Sequence, residues 1–187
     1  MARREARRDP RRKPFPPPPL DSYIFPQGEP TINSSPAAWL HMLNDVYNRR
    51  ILELAGNIPR LGRLASPDAS ATAHSKLCGS TVTVDLKMEG DTVTDFAHEV
   101  KACALGQASS SIMASHVVGA KADELRALRE KVRKMLKENG SPPAEERWAD
   151  IAVLEPVRDY KARHASTLLT FDAVVSAIEQ IEQKRAS

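Results

Sequence analysis

The sequence predicts an α+β domain in which a small antiparallel β-sheet packs against several α-helices. Three observations support this: apolar residues at helical spacing before residue 56, two alternating segments around a tight turn, and further helical patterns after residue 103. The 187 residues and 41% hydrophobic content suffice for one core of ordinary size. We therefore expect a single folded domain preceded by a tail.

The first 36 residues differ in composition from the rest of the chain. They combine an arginine run with four consecutive prolines at positions 16–19, and proline lacks the N–H that regular structure needs. Residues 1–13 hold seven Arg or Lys against two acids, so the net charge of +3 leaves about −2 for the remainder. We predict a disordered Arg/Pro-rich tail over residues 1–36 and a folded domain over residues 37–187. A docking segment and a transit peptide are the alternatives for the tail.

Composition argues against several functional classes. Aromatic residues are 5% of the chain and its basic excess lies in the tail, so we expect no nucleic-acid partner. No run of about 18 apolar residues occurs, so we expect no membrane span. Two cysteines cannot form a dense disulfide framework. We therefore expect a reducing, cytoplasmic location.

An amphipathic helix is predicted before Gly56. Ser35 can cap it and Pro36 suits its first position. Its apolar residues recur at spacings of three and four: Trp39, Leu40, Leu43, Val46, Tyr47, Ile51 and Leu54. The following segment, Asn57 to Ala73, is rich in Gly, Pro, Asp and Ser, which predicts an irregular connection.

A β-hairpin is predicted over residues 81–100. Thr81 to Met88 alternates between apolar and polar residues, Gly90 lies in a tight turn, and Thr92 to Val100 continues as the second strand. The alternation predicts one buried face, formed by Val82, Val84, Leu86 and Met88. The other face, predicted to be polar, carries Thr81, Thr83, Asp85 and Lys87.

The remaining sequence predicts helices. Cys103 to Val118 is rich in small residues with Gly119 as its stop, and Ala122 to Glu138 has an apolar stripe on a charged helix. Two further helical segments, Glu145 to Leu154 and Ala165 to Lys184, complete the C-terminal half.

The two cysteines flank the predicted hairpin. Cys78 precedes its first strand and Cys103 follows its second, so closing the hairpin places both thiols at one end of the sheet. Cys103 also opens a helix, where the helix dipole favours thiolate. Thiolate is the form that binds soft metals. The alternative is that both cysteines are small buried hydrophobic residues.

The residues around these cysteines resemble a known family. The matching segments are Leu77-Cys78-Gly79-Ser80, Val93-Thr94-Asp95-Phe96 and the run from Ala102 to Met113. Together they resemble the iron-sulfur cluster assembly scaffold family, with its IscU-like and NifU N-terminal members. The resemblance implies the same α+β fold and a cluster or metal site at Cys78 and Cys103. It covers roughly residues 42–181.

The chain departs from that family at two ligand positions. Ser80 stands at the position of the family aspartate and Ser166 at that of the third family cysteine. A neutral hydroxyl is a poor metal ligand, since ligands must be deprotonated. Two substitutes are open: His164 as a third ligand, or a homodimer in which two chains supply four thiolates to a bridging 2Fe-2S cluster.

The resemblance implies a scaffold or carrier and no enzyme. Such a protein receives sulfur from a cysteine desulfurase, binds iron or a transient 2Fe-2S cluster through thiolates, and passes it to recipient apoproteins. Zinc is the alternative metal. The alternative function is a metal-binding accessory or regulatory protein of the desulfurase that builds no clusters.

Overall fold

The computed structural model of the chain describes residues 49–187. Within this part, a three-stranded antiparallel sheet is accompanied by four α-helices and one 3₁₀ helix, which confirms the predicted α+β class. The elements in chain order are α1 (Arg49–Gly56), β1 (Ala69–His74), β2 (Thr81–Glu89), β3 (Thr92–Lys101), α2 (Ala104–His116), α3 (Ala122–Lys137), the 3₁₀ helix (Glu146–Asp159) and α4 (Lys161–Ala186).

The sheet has the order β1-β2-β3, with β2 in the centre. The β2–β3 hairpin pairs Thr81 with Lys101 at one end and Glu89 with Thr92 at the other. Gly90 has a φ of +57° in the connecting turn, a conformation that glycine adopts without steric cost. The predicted hairpin and its turn are confirmed.

The core lies between the sheet and α4. Helix α4 packs against β1 and β2 on one side and against α2 and α3 on others, so α4 is buried over most of its length. The four apolar residues predicted to face inward from β2 are all buried: Val82, Val84, Leu86 and Met88. No helix within residues 49–187 has the length and apolar character needed to cross a membrane.

The prediction of an irregular connection was wrong over residues 69–73. These residues belong to β1, whose first four residues alternate between buried and exposed. Alanine has a low strand propensity, so the local sequence gave little indication of a strand. The segment forms a strand because it pairs with β2, from Ala69 with Leu86 to His74 with Thr81.

The solvent-facing position predicted for Asp85 was also wrong. Asp85 is 1% exposed, because the segment before β1 covers this face of the sheet. Arg63 Nε and Nη2 donate to its two carboxylate oxygens at 2.7 and 2.8 Å. Burial raises the pKa of Asp85, but the bonds from Arg63, Ser70 and the Leu64 N–H more than offset it and hold the pKa below its usual value.

The C-terminal helices differ from their predicted bounds. The segment predicted as a helix over residues 145–154 is a 3₁₀ helix that continues to Asp159 and contains Pro156, which cannot donate an α-helical hydrogen bond. Helix α4 begins at Lys161, four residues before the predicted start at Ala165. His164 and Ser166 therefore lie in its first two turns.

Part of the N-terminal predictions falls outside the described residues. The predicted helix is described from Arg49 to Gly56, where it ends as expected. Its earlier portion over residues 35–48, the tail over residues 1–36 and the domain boundary at residue 37 stay predictions.

Candidate functional site

Cys78 lies in the turn that joins β1 to β2. Two backbone hydrogen bonds close this turn, from Ser75 N–H to the Ser80 carbonyl at 2.8 Å and from Gly79 N–H to the Ser75 carbonyl at 2.9 Å. Gly79 has a φ of +68°, which a side chain would disfavour. The turn leaves Cys78 exposed, and the adjacent Leu77 is 77% exposed.

Hydrogen bonds favour the charged form of Cys78. Its Sγ lies 3.3 Å from Ser75 Oγ and 3.0 Å from Ser80 Oγ. The Ser75 hydroxyl, then the Ser80 hydroxyl and backbone, and the positive charge of Arg163 lower the pKa of Cys78 from 9.0 to about 7, against a small opposing effect of burial. About half of this thiol is therefore thiolate at neutral pH.

Cys103 lies at the junction of a strand and a helix. It is the N-cap residue of α2, two residues after the end of β3, and it is half-buried. Its Sγ is 3.5 Å from Ser166 Oγ on α4. The Ser166 hydroxyl donates to the Arg163 carbonyl at 2.9 Å, and Ser166 is 1% exposed. Three elements of the core thus fix the surroundings of this thiol.

Helices α2 and α4 approach closely beside Cys103. A Cβ atom added to Gly106 would lie 2.7 Å from Ala102 Cβ and 3.0 Å from the Ser166 carbonyl oxygen. Only glycine allows this approach without a shift of the backbone. Gly106 therefore helps to set the position of Ser166 against Cys103.

The structure brings both cysteines to one end of the sheet. Thr81 pairs with Lys101 at that end, and Cys78 precedes the first of these residues while Cys103 follows the second. The start of α4 interacts with both cysteines, because the charge of Arg163 acts on Cys78 and Ser166 contacts Cys103.

Serines occupy the two positions where the resemblance expects other ligands, and each contacts one thiol. Ser80 contacts Cys78 and Ser166 contacts Cys103. Both serines are buried. The Ser80 hydroxyl can donate a hydrogen bond to the Cys78 thiolate, whereas the Ser166 hydroxyl donates to the Arg163 carbonyl and accepts from the Cys103 thiol. A hydroxyl is a weak metal ligand at neutral pH, so neither serine suits direct coordination.

His164 has a different setting from the thiols. Its Nε2 lies 3.1 Å from the Val157 carbonyl oxygen and 2.9 Å from that of Arg158. Because carbonyl oxygens only accept, Nε2 carries the proton and cannot bind a metal. In the described part of the chain, no three His, Cys, Asp or Glu side chains are grouped to hold a metal ion.

Sequence reasoning missed Ser75 and Arg163. Ser75 is three residues before Cys78 and bonds it across the turn, a contact that the Cys78-Gly79 dipeptide, as a sign of a tight turn, could have suggested. The sequence pattern assigned no role to Arg163. Its effect on Cys78 depends on the start of α4, which the sequence pattern placed too late.

Sequence comparison relates this chain to known proteins. A family model described as the NifU-like N terminal domain matches residues 46–167. The chain is 25% identical over 138 residues to a protein of Thermotoga maritima named iron-sulfur cluster assembly scaffold protein IscU, covering 74% of this chain and 96% of that protein. A Streptococcus pyogenes protein of the same name is 24% identical over 141 residues, covering 75% and 87%.

Solved structures give the same picture of the fold. The N-terminal part of a nitrogen-fixing NifU-like protein from Brucella abortus is 71% identical, with a TM-score of 0.75 and coverage of 76% of this chain and 99% of that one. A scaffold protein for the SUF system from Fervidobacterium islandicum is 21% identical, with a TM-score of 0.66 and coverage of 72% and 98%. At that identity the second structure supports the fold alone.

Proposed function

Because this chain belongs to the family of the NifU-like N-terminal domain, we propose that it is an iron-sulfur cluster assembly scaffold or carrier rather than an enzyme. Two curated relatives named as scaffold proteins support that role. In this proposal the thiolates of Cys78 and Cys103 bind iron and sulfide, or a nascent cluster, for transfer to apoproteins.

The observation that carries the proposal is the pair of thiols at one end of the sheet. Cys78 is exposed and has a pKa lowered to about 7, so it offers thiolate without further activation. Cys103 lies beside a buried serine at the start of α2. Thiolates are the ligands that iron-sulfur clusters require.

Two thiolates per chain favour a shared cluster. A 2Fe-2S cluster takes four cysteine ligands, which two copies of this chain would supply through Cys78 and Cys103. We leave His164 out of the ligand set because its Nε2 is engaged by two carbonyl oxygens and because, in the described part of the chain, it is not grouped with the two cysteines. Iron alone, or zinc, is the alternative cargo.

The proposed sulfur donor is a cysteine desulfurase. Cys78 is exposed at a turn, and its neighbour Leu77 offers an apolar contact for a docking protein. An exposed thiolate can be reached by the sulfur-carrying group of such an enzyme, whereas the half-buried Cys103 is less accessible.

The test is anaerobic purification of the full chain, with iron, zinc and acid-labile sulfide counted before and after reconstitution with desulfurase, cysteine and ferrous iron. We expect about one iron and one sulfide per chain in a dimer. Cys78→Ser and Cys103→Ser should each abolish loading. Ser115→Ala is a matched control, because its hydroxyl bonds within α2 to the Ser111 carbonyl and touches neither thiol. Stable cluster loading in Cys78→Ser would refute the site.

A second candidate is a desulfurase accessory protein that builds no clusters. The observation in its favour is that residues 49–187 contain no group of three metal-binding side chains. On this reading the chain changes the turnover of the desulfurase but holds no sulfide after reconstitution. Measuring both quantities in one preparation separates the two functions.

A further inference from the structure

A cavity lies between the end of α3 and the start of α4. It has a volume of about 360 Å³, and its described lining consists of Lys137, Lys161, His164 and Ala165. Neither cysteine lines it. The cavity therefore brings two lysines and a histidine together outside the proposed cluster site.

His164 presents an unpartnered nitrogen to this cavity. The side chain is buried, with 7% exposed, and Nε2–H is held by the Val157 and Arg158 carbonyl oxygens. Nδ1 has no hydrogen-bond partner in the described part and is not among the fully buried polar atoms, so it retains access to solvent on a residue that lines the cavity. With the proton fixed on Nε2, Nδ1 of the neutral ring is a hydrogen-bond acceptor.

The two lysines supply positive charge that no ion pair within the described part neutralises. Lys161 begins α4, where the helix dipole adds partial positive charge, and Lys137 ends α3, where the dipole is negative. Neither lysine forms an ion pair with any residue of the described part. The carboxylate of Asp172 interacts with Lys137 electrostatically but not as an ion pair. An incoming anion thus meets two ammonium groups that no residue of the described part holds in an ion pair.

We propose that this cavity binds an oxyanion that carries an O–H group, with inorganic phosphate as the representative ligand. The lysines donate to its charged oxygens, and its O–H donates to His164 Nδ1. Sulfate carries no O–H at neutral pH, and a phosphate monoester loses its last one near pH 6. The imidazole acceptor therefore selects hydrogen phosphate over both. This site is independent of the proposed cluster chemistry.

Isothermal titration calorimetry on the full chain near pH 8, at constant ionic strength, tests the site. Inorganic phosphate should bind saturably. Lys137→Gln and Lys161→Gln should each weaken binding about tenfold, the effect of one charge-assisted hydrogen bond. Lys87→Gln is the charge-matched control, because Lys87 lies on β2 and does not line the cavity. Unchanged phosphate affinity in the Lys137→Gln/Lys161→Gln double variant would overturn the site.

The role of His164 is tested in the unaltered chain, so that no folding defect interferes. Sulfate and methyl phosphate, neither of which carries an O–H near pH 8, are titrated beside phosphate under the same conditions. Both should bind at least about tenfold more weakly, because an oxyanion without an O–H leaves the Nδ1 lone pair unpaired. Equal affinity for phosphate and sulfate would show that Nδ1 accepts no hydrogen bond from the ligand and would overturn the proposed selectivity.

Discussion

Cys78 and Cys103 lie at the same end of the sheet but in contrasting surroundings. Cys78 is exposed in a turn, and both serines that contact its Sγ belong to that same turn. Cys103 is half-buried between β3 and α2, and the serine that contacts it is 63 residues away in sequence, on α4. The contacts of the Cys78 thiol thus come mainly from its own turn, whereas those of the Cys103 thiol depend on tertiary packing.

Because of this contrast, we expect changes at the two serines that contact the thiols to have different consequences. A change at Ser80 acts on one turn and on the ionisation of one thiol. A change at Ser166 alters the contact between two helices as well as the surroundings of Cys103.

The first prediction replaces the serine beside Cys103. Ser166→Cys should tighten zinc binding by roughly a hundredfold, because structural zinc sites derive about 10–16 kcal/mol from four ligands and each thiolate contributes a share. The added sulfur would lie about where Ser166 Oγ now lies, 3.5 Å from Cys103 Sγ. Competition with a chromogenic zinc chelator measures the change.

Ser115→Cys is the matched control for that gain. It adds a thiol on α2 at a position whose hydroxyl contacts only the Ser111 carbonyl, so it should leave zinc affinity unchanged. If both variants bound zinc equally tightly, the gain would reflect an extra thiol anywhere on the protein. The position of Ser166 beside the site would then have no special significance.

The second prediction concerns the packing that fixes Cys103. Gly106→Ala should destabilise the fold by about 1–2 kcal/mol, because its Cβ would lie 2.7 Å from Ala102 Cβ and the gain in helix propensity offsets only part of the strain. Gly56→Ala is the control, since nothing lies within 4 Å of its Cβ. In urea unfolding, the control should have a free energy of unfolding equal to or higher than that of the native chain. If both variants lost the same free energy of unfolding, the close approach of α2 and α4 at Gly106 would be contradicted.

The sequence predicts the helices and strands that depend on local patterns and misses the one that depends on tertiary pairing. Strands β2 and β3, their turn at Gly90 and helices α2 and α3 follow from short-range periodicity and stop signals, and the structure has them close to the predicted bounds. Strand β1 was missed, since its small residues form a strand only against the edge of β2.

The candidate site divides in the same way. The end of the sheet at which both cysteines lie follows from the hairpin alone. Asp85 was assigned to a solvated face because the covering segment and Arg63 come from outside the strand. The contact between Ser166 and Cys103 depends on α4 crossing the sheet, and no local pattern encodes that crossing.

The third prediction compares the two thiols directly. In the folded chain, Cys78 should react with iodoacetamide at neutral pH about fivefold faster than Cys103, since Cys78 is exposed and about half ionised. Single-cysteine variants, Cys103→Ser and Cys78→Ser, allow each rate to be followed by mass spectrometry. In denaturing urea the two alkylation rates should converge. If the rates still differed there, the difference in reactivity would come from the local sequence rather than from the fold.

The last prediction concerns the turn around Cys78. The pKa of Cys78 is lowered from 9.0 to about 7 chiefly by the Ser75 and Ser80 hydroxyls, so the thiolate predominates above about pH 7. Ser75→Ala and Ser80→Ala each remove a donor to the thiolate, so each should move the midpoint of the alkylation rate against pH upward, toward 9.0. At neutral pH both variants should therefore react more slowly than the native chain, although Cys78 is equally exposed.

The Ser115→Ala variant, which touches neither thiol, should keep its alkylation midpoint near pH 7. The measurement is the rate of alkylation of Cys78 across the pH range in a Cys103→Ser background. If the midpoint stayed near 7 in both Ser75→Ala and Ser80→Ala, the charge of Arg163 on α4 would be the main cause of the lowered pKa. Cys78 would then depend on tertiary packing as Cys103 does, and the contrast between the two thiols would be one of exposure alone.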